Sequence, residues 1–265
     1  MMNDEAPAPQ PGPSRASEQA AAPSSRLAPA AVDPLAPIRA APLDRPFVVA
    51  QLGQSLDGRI ATVTGESRWI NGEAALDHLH ALRAEVDAVV VGIGTVDADD
   101  PQLNVRRVAL PAGRSQPARV VIDPSARLRD GAKCLVAGDG ARRIVVRAEG
   151  GGPALPPGVE VIVVPRAADG RLAPGGIVTR LFALGLHRLL IEGGAQTVSS
   201  CLDAGVVDRL HVLVAPVIIG SGKTGLDLRP EGRLAAARRP VTTVHVLADG
   251  DVLFDCDFSA SRGKV

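Results

Sequence analysis

Two glycine-containing turns, far apart in the chain, hold residues that could form a ligand site. Residues 91–101 and residues 190–195 each begin as a run typical of a buried strand and then break into glycines, which let a ligand approach the backbone closely. In an open α/β sheet, nucleotides bind in the crevice at the carboxyl ends of the strands. The turns therefore predict a nucleotide crevice. Asp97, Asp99 and Asp100 could take part in binding or catalysis there, or they could only cap the backbone of their own turn.

The second turn places a carboxylate beside the start of a helix. Glu192 ends the strand-like run, Gly193 and Gly194 follow, and a helix pattern begins directly after them. Backbone N–H groups at the first turn of a helix can hold a pyrophosphate. A simple tight turn would use the same glycines, so both interpretations stay open.

A third polar group follows the first strand-like run. It comprises residues 55–59, which read Ser-Leu-Asp-Gly-Arg, and residues 65–70, which include Trp69, the only tryptophan of a chain without tyrosine. Trp69 lies in a polar loop, where its flat ring could stack on a cofactor or a base. Burial as a packing residue is the alternative.

Three common motifs do not fit this chain. Gly92 and Gly94 begin like the dinucleotide fingerprint, but Asp97 takes the place of the third glycine and no helix pattern follows directly. An ordinary Rossmann domain is therefore not expected. Gly222-Lys223-Thr224 resembles the end of a P-loop, yet Val217 stands where that motif requires glycine. A nucleophile elbow, G-x-S-x-G, is absent.

Composition limits the partners. The chain has 265 residues, 46% of them hydrophobic, and a formal net charge of zero. It offers no electrostatic reason to expect nucleic acid or an anionic membrane, so a small molecule is the expected ligand. No apolar run reaches about 18 residues and no secretory signal is present, which indicates a cytoplasmic protein. Three widely spaced cysteines and five histidines without ligand spacing predict neither a disulfide framework nor a metal site.

The pattern of elements predicts an α/β fold. Short β-branched or leucine-rich runs bounded by Gly, Pro or Asp suit strands that are buried on both faces. The predicted strands are residues 47–52, 88–92, 118–122, 143–146, 159–164, 187–191, 210–219, 241–247 and 252–258, and the predicted helices are 71–85, 176–184 and 195–204. The last three strands have no obvious helices between them. We therefore expect a mixed, mostly parallel sheet flanked by helices, with an antiparallel edge near the carboxyl terminus.

The amino-terminal segment differs from the rest. Ten of the 22 prolines fall at or before Pro46, among alanines and serines and without apolar periodicity. Such a segment cannot bury enough surface to offset the entropy of ordering it. We expect a disordered tail over residues 1–45, a folded domain over residues 46–260, and no effect of deleting residues 2–44.

Taken together and in this order, the motifs resemble one known family. From about Arg45 to Phe258, the chain resembles the reductase domain of the bacterial riboflavin-biosynthesis deaminase/reductase, a relative of dihydrofolate reductase in fold. The matching segments are residues 55–61, 65–70, 82–83, 92–106, 121–123, 191–195 and 216–220. The resemblance implies a dihydrofolate-reductase-like fold and an NADPH-dependent reduction. The substrate would be 5-amino-6-(5-phosphoribosylamino)uracil, whose ribosyl group becomes a ribityl chain.

The resemblance also implies roles for individual residues. The positions matching the family's substrate site are Ser67, Arg83, Leu103, Arg106 and Glu192. The positions matching its NADPH site are Gln54, Trp69, Thr95, Asp99, Gly194, Ala195, Gln196 and Thr197. Ser125 and Arg127, just after a predicted strand, are further cofactor candidates because a hydroxyl and a guanidinium could meet the adenosine 2′-phosphate. Two arginines suit a phosphate monoester, because a guanidinium meets its oxygens bidentately. Asp99, between the two ligands, is the candidate catalytic group.

Two departures from the family bear on function. The zinc-deaminase motifs H-x-E and P-C-x-x-C are absent, so we expect a reductase alone, with a separate deaminase in the pathway. Gln51 occupies a position where the family often has lysine. Archaeal and fungal relatives reduce the non-deaminated 2,5-diamino pyrimidine, so this substrate stays an alternative, as do a pterin-like heterocycle and a non-catalytic nucleotide-binding protein. The apolar carboxyl-terminal strands need cover, which predicts a homodimer.

Overall fold

The computed structural model describes residues 27–28, 33–167 and 170–261, which form one large sheet with helices on both faces. The strands are β1 (Leu27–Ala28), β2 (Phe47–Ser55), β3 (Arg59–Thr62), β4 (Ala88–Gly92), β5 (Ala118–Ile122), β6 (Arg143–Arg147), β7 (Val159–Val163), β8 (Arg188–Glu192), β9 (Arg209–Ala215), β10 (Gly222–Thr224), β11 (Val241–Val246) and β12 (Val252–Asp257). The α-helices are α1 (Ala36–Arg39), α2 (Glu73–Glu85), α3 (Ile93–Asp99), α4 (Lys133–Val136), α5 (Pro174–Ala183) and α6 (Ala195–Asp203). Short 3-10 turns cover Leu234–Ala236 and Ser259–Ser261.

The sheet is mixed and mostly parallel, as the sequence predicts. Its ten strands run in the order β1-β11-β12-β9-β2-β8-β4-β5-β6-β7. All pairs from β9 to β7 are parallel, whereas β9, β12 and β11 pair antiparallel. Strands β3 and β10 form a separate two-stranded sheet. The antiparallel strands near the carboxyl terminus are thus confirmed.

Burial of the central strands on both faces explains their continuous apolar runs. In β2, Val48 packs into a core beneath α5 and α6, while Val49 packs into a second core shared with α2 and α3. Both residues are fully buried. Strands of a parallel sheet that are covered on two sides read as β-branched runs rather than as alternating patterns.

Several predicted boundaries differ from the structure. Helix α2 begins at Glu73 with Gly72 as its N-cap, not at Asn71; the Asn71 amide instead donates to Asp251 Oδ2 at 3.0 Å. The sequence showed no helix pattern directly after residue 92, yet α3 begins there. Strands β3 and β10 were also not predicted, because each is short and is defined only by its partner.

Part of the predicted tail packs on the domain. Helix α1 buries Ile38 completely, in the same core as Leu82 and Val89. Leu27–Ala28 pairs in parallel with β11. The predicted boundary at residue 45 is therefore wrong for residues 33–45, since the apolar side chains of Leu35 and Ile38 supply the packing that composition alone did not indicate. The rest of the predicted tail, residues 1–26 and 29–32, lies outside the described residues.

Candidate active site

The two glycine turns meet because their strands are neighbours. Strand β8 pairs with β4, so the turns that follow them lie at the same edge of the sheet. A Cβ on Gly92 would lie 2.5 Å from Thr197 Oγ1, and one on Gly193 would lie 2.9 Å from Thr95 Cγ2. Real Cβ atoms do not approach other atoms so closely. The glycines therefore let the starts of α3 and α6 pack against each other.

A cavity of about 670 Å³ opens at this edge of the sheet. We call it the first cavity. Its wall includes Thr95 on α3, the start of α6, and Pro124 after β5. Its charged lining residues are Arg127, Arg166, Arg171, Lys223, Asp99 and Asp227. Cations thus outnumber carboxylates, and a helix begins at the wall, an arrangement that suits an anionic ligand.

A second cavity, of about 550 Å³, lies between β2, α2 and the segment after α3. Its polar and charged lining includes Gln51, His80, Arg83, Arg106 and Lys133. Five residues line both cavities: Ile60, Ser67, Thr95, Asp99 and Gly194. Ligands in the two cavities would therefore meet at this shared wall.

The three aspartates of the first turn have different surroundings. Asp97 lies 3.5 Å from Arg127. Asp100, in the left-handed region with φ 41°, accepts the backbone N–H of Lys133 at 3.0 Å and lies 3.1 Å from Arg129; the Lys133 hydrogen bond lowers the pKa of Asp100. Asp99 forms no side-chain hydrogen bond or ion pair to any other described residue, and only its carbonyl accepts a bond, from Arg68 at 2.8 Å. Its carboxylate is therefore available at the shared wall.

Arg83 and Glu192 form a buried, bidentate ion pair. Arg83 Nε donates to Glu192 Oε1 at 2.7 Å, and Nη2 donates to Oε2 at 2.6 Å. Arg83 is 6% and Glu192 5% exposed. The resemblance implied that each would meet the substrate directly. In the structure Arg83 lines the second cavity, but its guanidinium is already hydrogen-bonded to Glu192. Glu192 lies behind Arg83 and lines neither cavity.

Arg106 differs from Arg83 in having an exposed guanidinium. Arg106 lines the second cavity, and its Nη1 donates a hydrogen bond to Asn104 Oδ1 at 3.0 Å. Partial loss of solvent around the guanidinium, followed by repulsion from Arg83 and Arg107, lowers the pKa of Arg106. An anion in the second cavity would balance this charge. Leu103, 1% exposed and with φ 56°, lines the same cavity.

The remaining candidates fall in different places. Ser67 and Thr95 lie at the shared wall, and Ala195, Gln196 and Thr197 line the first cavity. Trp69 lines the second cavity and not the first, and it is 71% exposed. Gln54 and Ser125 line neither cavity; the Gln54 amide lies against Gly225.

The Ser-Leu-Asp-Gly motif connects two loops. Asp57 accepts hydrogen bonds from Ser55 Oγ at 2.6 Å and from the N–H groups of Ile219 and Gly220 at 3.1 and 2.7 Å. The Ser55 bond, together with these backbone bonds, lowers the pKa of Asp57 to about 2. The motif therefore fixes the turn between β2 and β3 to the loop before β10.

Sequence reasoning missed some residues at the cavities. His80, Lys133, Arg166 and Lys223 were not predicted as site residues, although each lines a cavity. For His80 a signal exists: it lies three residues before Arg83 on α2, and residues at that spacing share a helix face.

Among the described residues, no cluster of histidine, cysteine or carboxylate side chains could hold a metal ion. No helix of that part of the chain is long and apolar enough to cross a membrane.

The mixed α/β sheet and the two adjoining cavities at its carboxyl edge are those of an α/β domain that binds small ligands at the ends of its strands. Residues 46–249 match the RibD C-terminal domain family, and the chain belongs to that family. It is 40% identical over 180 residues to the 2,5-diamino-6-ribosylamino-4(3H)-pyrimidinone 5′-phosphate reductase of Methanothermobacter thermautotrophicus, covering 66% of this chain and 80% of that protein.

Longer relatives carry the same domain. The RibD protein of Aquifex aeolicus is 34% identical over 187 residues, 70% of this chain and 50% of that protein. The structure of Acinetobacter baumannii RibD superposes with a TM-score of 0.65 at 30% identity, covering 80% of this chain and 58% of that one. The chain thus spans about half the length of these RibD proteins.

Proposed function

We propose that the protein reduces the ribosylamino group of a ribosylaminopyrimidine 5′-phosphate to a ribitylamino group, with hydride from NADPH. The shared wall of the two cavities carries this proposal, because hydride transfer requires cofactor and substrate to touch. The relatives' names support it, since one is a pyrimidinone 5′-phosphate reductase and others are riboflavin biosynthesis proteins.

The first cavity suits a nicotinamide dinucleotide. Gly194 and the start of α6 offer backbone N–H groups to a pyrophosphate, and Arg127 and Arg166 can meet a further phosphate such as that of NADPH. When bound, NADPH supplies the hydride and the protein supplies orientation. Thr95 and Asp99 then lie at the boundary with the substrate.

The second cavity suits the phosphorylated sugar. Opening of the ribose gives an imine at C1′, which accepts the hydride while a proton completes the amine. Arg106 holds the phosphate, with Lys133 as a second cation on the same cavity. Arg83 contributes to the wall of this cavity and is held in place by its ion pair with Glu192 behind it. Asp99 stabilises the developing iminium charge or exchanges the proton.

Two pyrimidines are candidates. The family resemblance implies 5-amino-6-(5-phosphoribosylamino)uracil as the first candidate. Gln51, 8% exposed in the wall of the second cavity, favours the 2,5-diamino pyrimidinone instead: its amide oxygen can accept a hydrogen bond from an amino group, whereas lysine can only donate. The name of the relative that is 40% identical agrees with this preference.

The test is NADPH oxidation by the purified protein with each pyrimidine, with an unphosphorylated pterin as the control. We expect turnover of at least one phosphorylated pyrimidine and none of the pterin, with the diamino compound giving the larger kcat/KM. Oxidation with the pterin alone would indicate a different substrate class. Cofactor binding without oxidation would indicate a non-catalytic protein.

We also propose a homodimer and a separate deaminase that acts before or after this enzyme. The carboxyl-terminal hairpin β11–β12 supports the dimer, because Val241 and Val246 on β11 are 55% and 75% exposed. Light scattering at micromolar concentration tests it. A monomer there would exclude the dimer.

A further inference from the structure

Arg106 lies between α3 and β5 in a segment without helix or strand, so side-chain contacts must place it. Its backbone N–H donates to His80 Nδ1 at 3.2 Å. His80 lies on α2, is 2% exposed and lines the second cavity together with Arg106. The imidazole thus holds the backbone of the residue whose guanidinium is presented to the cavity.

The two preceding residues are held in the same way. Gln116 clamps Val105: its Oε1 accepts the Val105 N–H at 2.7 Å, and its Nε2 donates to the Val105 carbonyl at 2.8 Å. Arg83 Nη1 donates to the carbonyl of Asn104 at 3.0 Å. Three side chains therefore fix three successive residues of an irregular segment, which restricts where the Arg106 side chain can reach.

His80 can hold Arg106 only as a neutral ring. A protonated imidazole has donors at both nitrogens and could not accept an N–H. Burial, followed by repulsion from Arg83 and Arg106, lowers the pKa of His80 to about 4. The ring is neutral near pH 7, with its proton on Nε2, and Nδ1 stays an acceptor.

We propose that His80 is a positioning residue, which orients Arg106 so that the guanidinium meets the phosphate of the substrate. This inference rests on the proposed function, because it assigns the phosphate to the second cavity. It predicts that an acceptor near the position of Nδ1 suffices. Asparagine supplies one with its side-chain oxygen, whereas phenylalanine fills similar space without one.

The experiment is a double-mutant cycle of His80→Phe and Arg106→Ala, with His80→Asn as the matched control. One measurement is KM and kcat for the phosphorylated pyrimidine. The other is binding of ribose 5-phosphate, with ribose as its control, followed by the fluorescence of Trp69, the only tryptophan, which lines the second cavity. The binding measurement does not depend on turnover.

We expect His80→Phe to raise KM and the Kd of ribose 5-phosphate by about tenfold, with kcat and NADPH affinity unchanged. His80→Asn should restore both values to within about twofold of wild type. In the Arg106→Ala background, His80→Phe should add nothing, because the group that it positions is gone. If the phenylalanine variant does not fold, His80→Gln, which displaces the acceptor, replaces it in the cycle.

Two results would overturn the proposal. If the effects of His80→Phe and Arg106→Ala multiply, His80 acts independently of Arg106. If His80→Phe lowers Tm but leaves KM and Kd unchanged, the residue is only structural. A different result tests the proposed function: if Arg106→Ala changes neither value, the phosphate does not bind in the second cavity.

Discussion

At the scale of single residues, three aspartates in α3 and directly after it have different surroundings because their partners differ. Asp97 contacts Arg127, and Asp100 accepts the N–H of Lys133. Asp99 alone presents a carboxylate without a partner among the described residues, and it lines both cavities. Position relative to the shared wall, rather than residue type, therefore singles out Asp99.

The Asp99→Asn variant should lower kcat by about a hundredfold or more, because an amide supplies neither negative charge beside the iminium nor a proton for the amine nitrogen. NADPH binding and Tm should stay unchanged. Asp97→Asn, on the same helix but outside the shared wall, is the control and should keep its activity. The rate of hydride transfer in a single turnover is measured for both variants. A near-normal rate for Asp99→Asn would leave this residue with a backbone role only.

The ion pair between Arg83 and Glu192 predicts a loss of stability. Arg83→Ala leaves a buried carboxylate without its partner, which typically costs about 3–5 kcal/mol. Arg106→Ala removes an exposed guanidinium with one side-chain bond and should change the free energy of unfolding little. Urea unfolding compares the two variants. If Arg83→Ala were as stable as wild type yet bound substrate weakly, the pair would have to open to bind the ligand.

At the scale of elements, the turn between β2 and β3 depends on one carboxylate. Asp57 has its pKa lowered to about 2 from 3.8, first by the Ser55 hydrogen bond. A lowered native pKa stabilises the fold above the unfolded value, and this contribution is lost as the pH falls through about 2. Wild type should therefore exceed Asp57→Asn in Tm near pH 7, and the difference should shrink between about pH 4 and pH 2.

Thermal unfolding at several pH values measures this difference, with Asp130→Asn as the control. Asp130 is an exposed aspartate, and its replacement should give no such trend. A Tm difference for Asp57→Asn that is constant from pH 7 to pH 2 would show that the carboxylate charge is not what fixes the turn.

The elements that the sequence predicts best are those whose own residues show the burial pattern. Both boundaries of β4 and of β5 coincide with the prediction, because each strand is a short apolar run covered on two faces. Helix α3 was missed, since its seven residues include a glycine and three polar side chains. Strands β3 and β10 were missed because their pairing joins segments about 160 positions apart.

The sequence predicts where the site residues lie in the sheet, but not which side chains they contact. The turns after β4 and β8 could be placed at one edge of a parallel sheet, and residues such as Thr95 and Gly194 do lie there. The Arg83–Glu192 bond joins residues 109 positions apart. Nothing local could show that these two charges neutralise each other. The sequence likewise could not show the role proposed for His80, because it depends on a hydrogen bond from the backbone of Arg106, 26 positions away.

At the scale of the whole molecule, the amino-terminal segment contributes to the core. Removal of residues 2–44 takes away Ile38, which is fully buried, so this deletion should destabilise the domain, contrary to the sequence-based expectation. Ile38→Ala should itself cost about 2–5 kcal/mol. Deletion of residues 2–26, whose composition favours no packing, should leave Tm and turnover unchanged. Thermal unfolding compares the three. An unchanged Tm for the longer deletion would show that α1 adds no stability.

In the proposed reaction, a hydride passes from NADPH across the shared wall to C1′ of the opened ribose. The most direct test is a single turnover with NADPH deuterated at the transferred position, followed by mass spectrometry of the pyrimidine product. We expect one deuterium on the ribityl C1′ and none on the pyrimidine ring. Deuterium on the ring, or oxidation of NADPH without deuterium in the product, would contradict it.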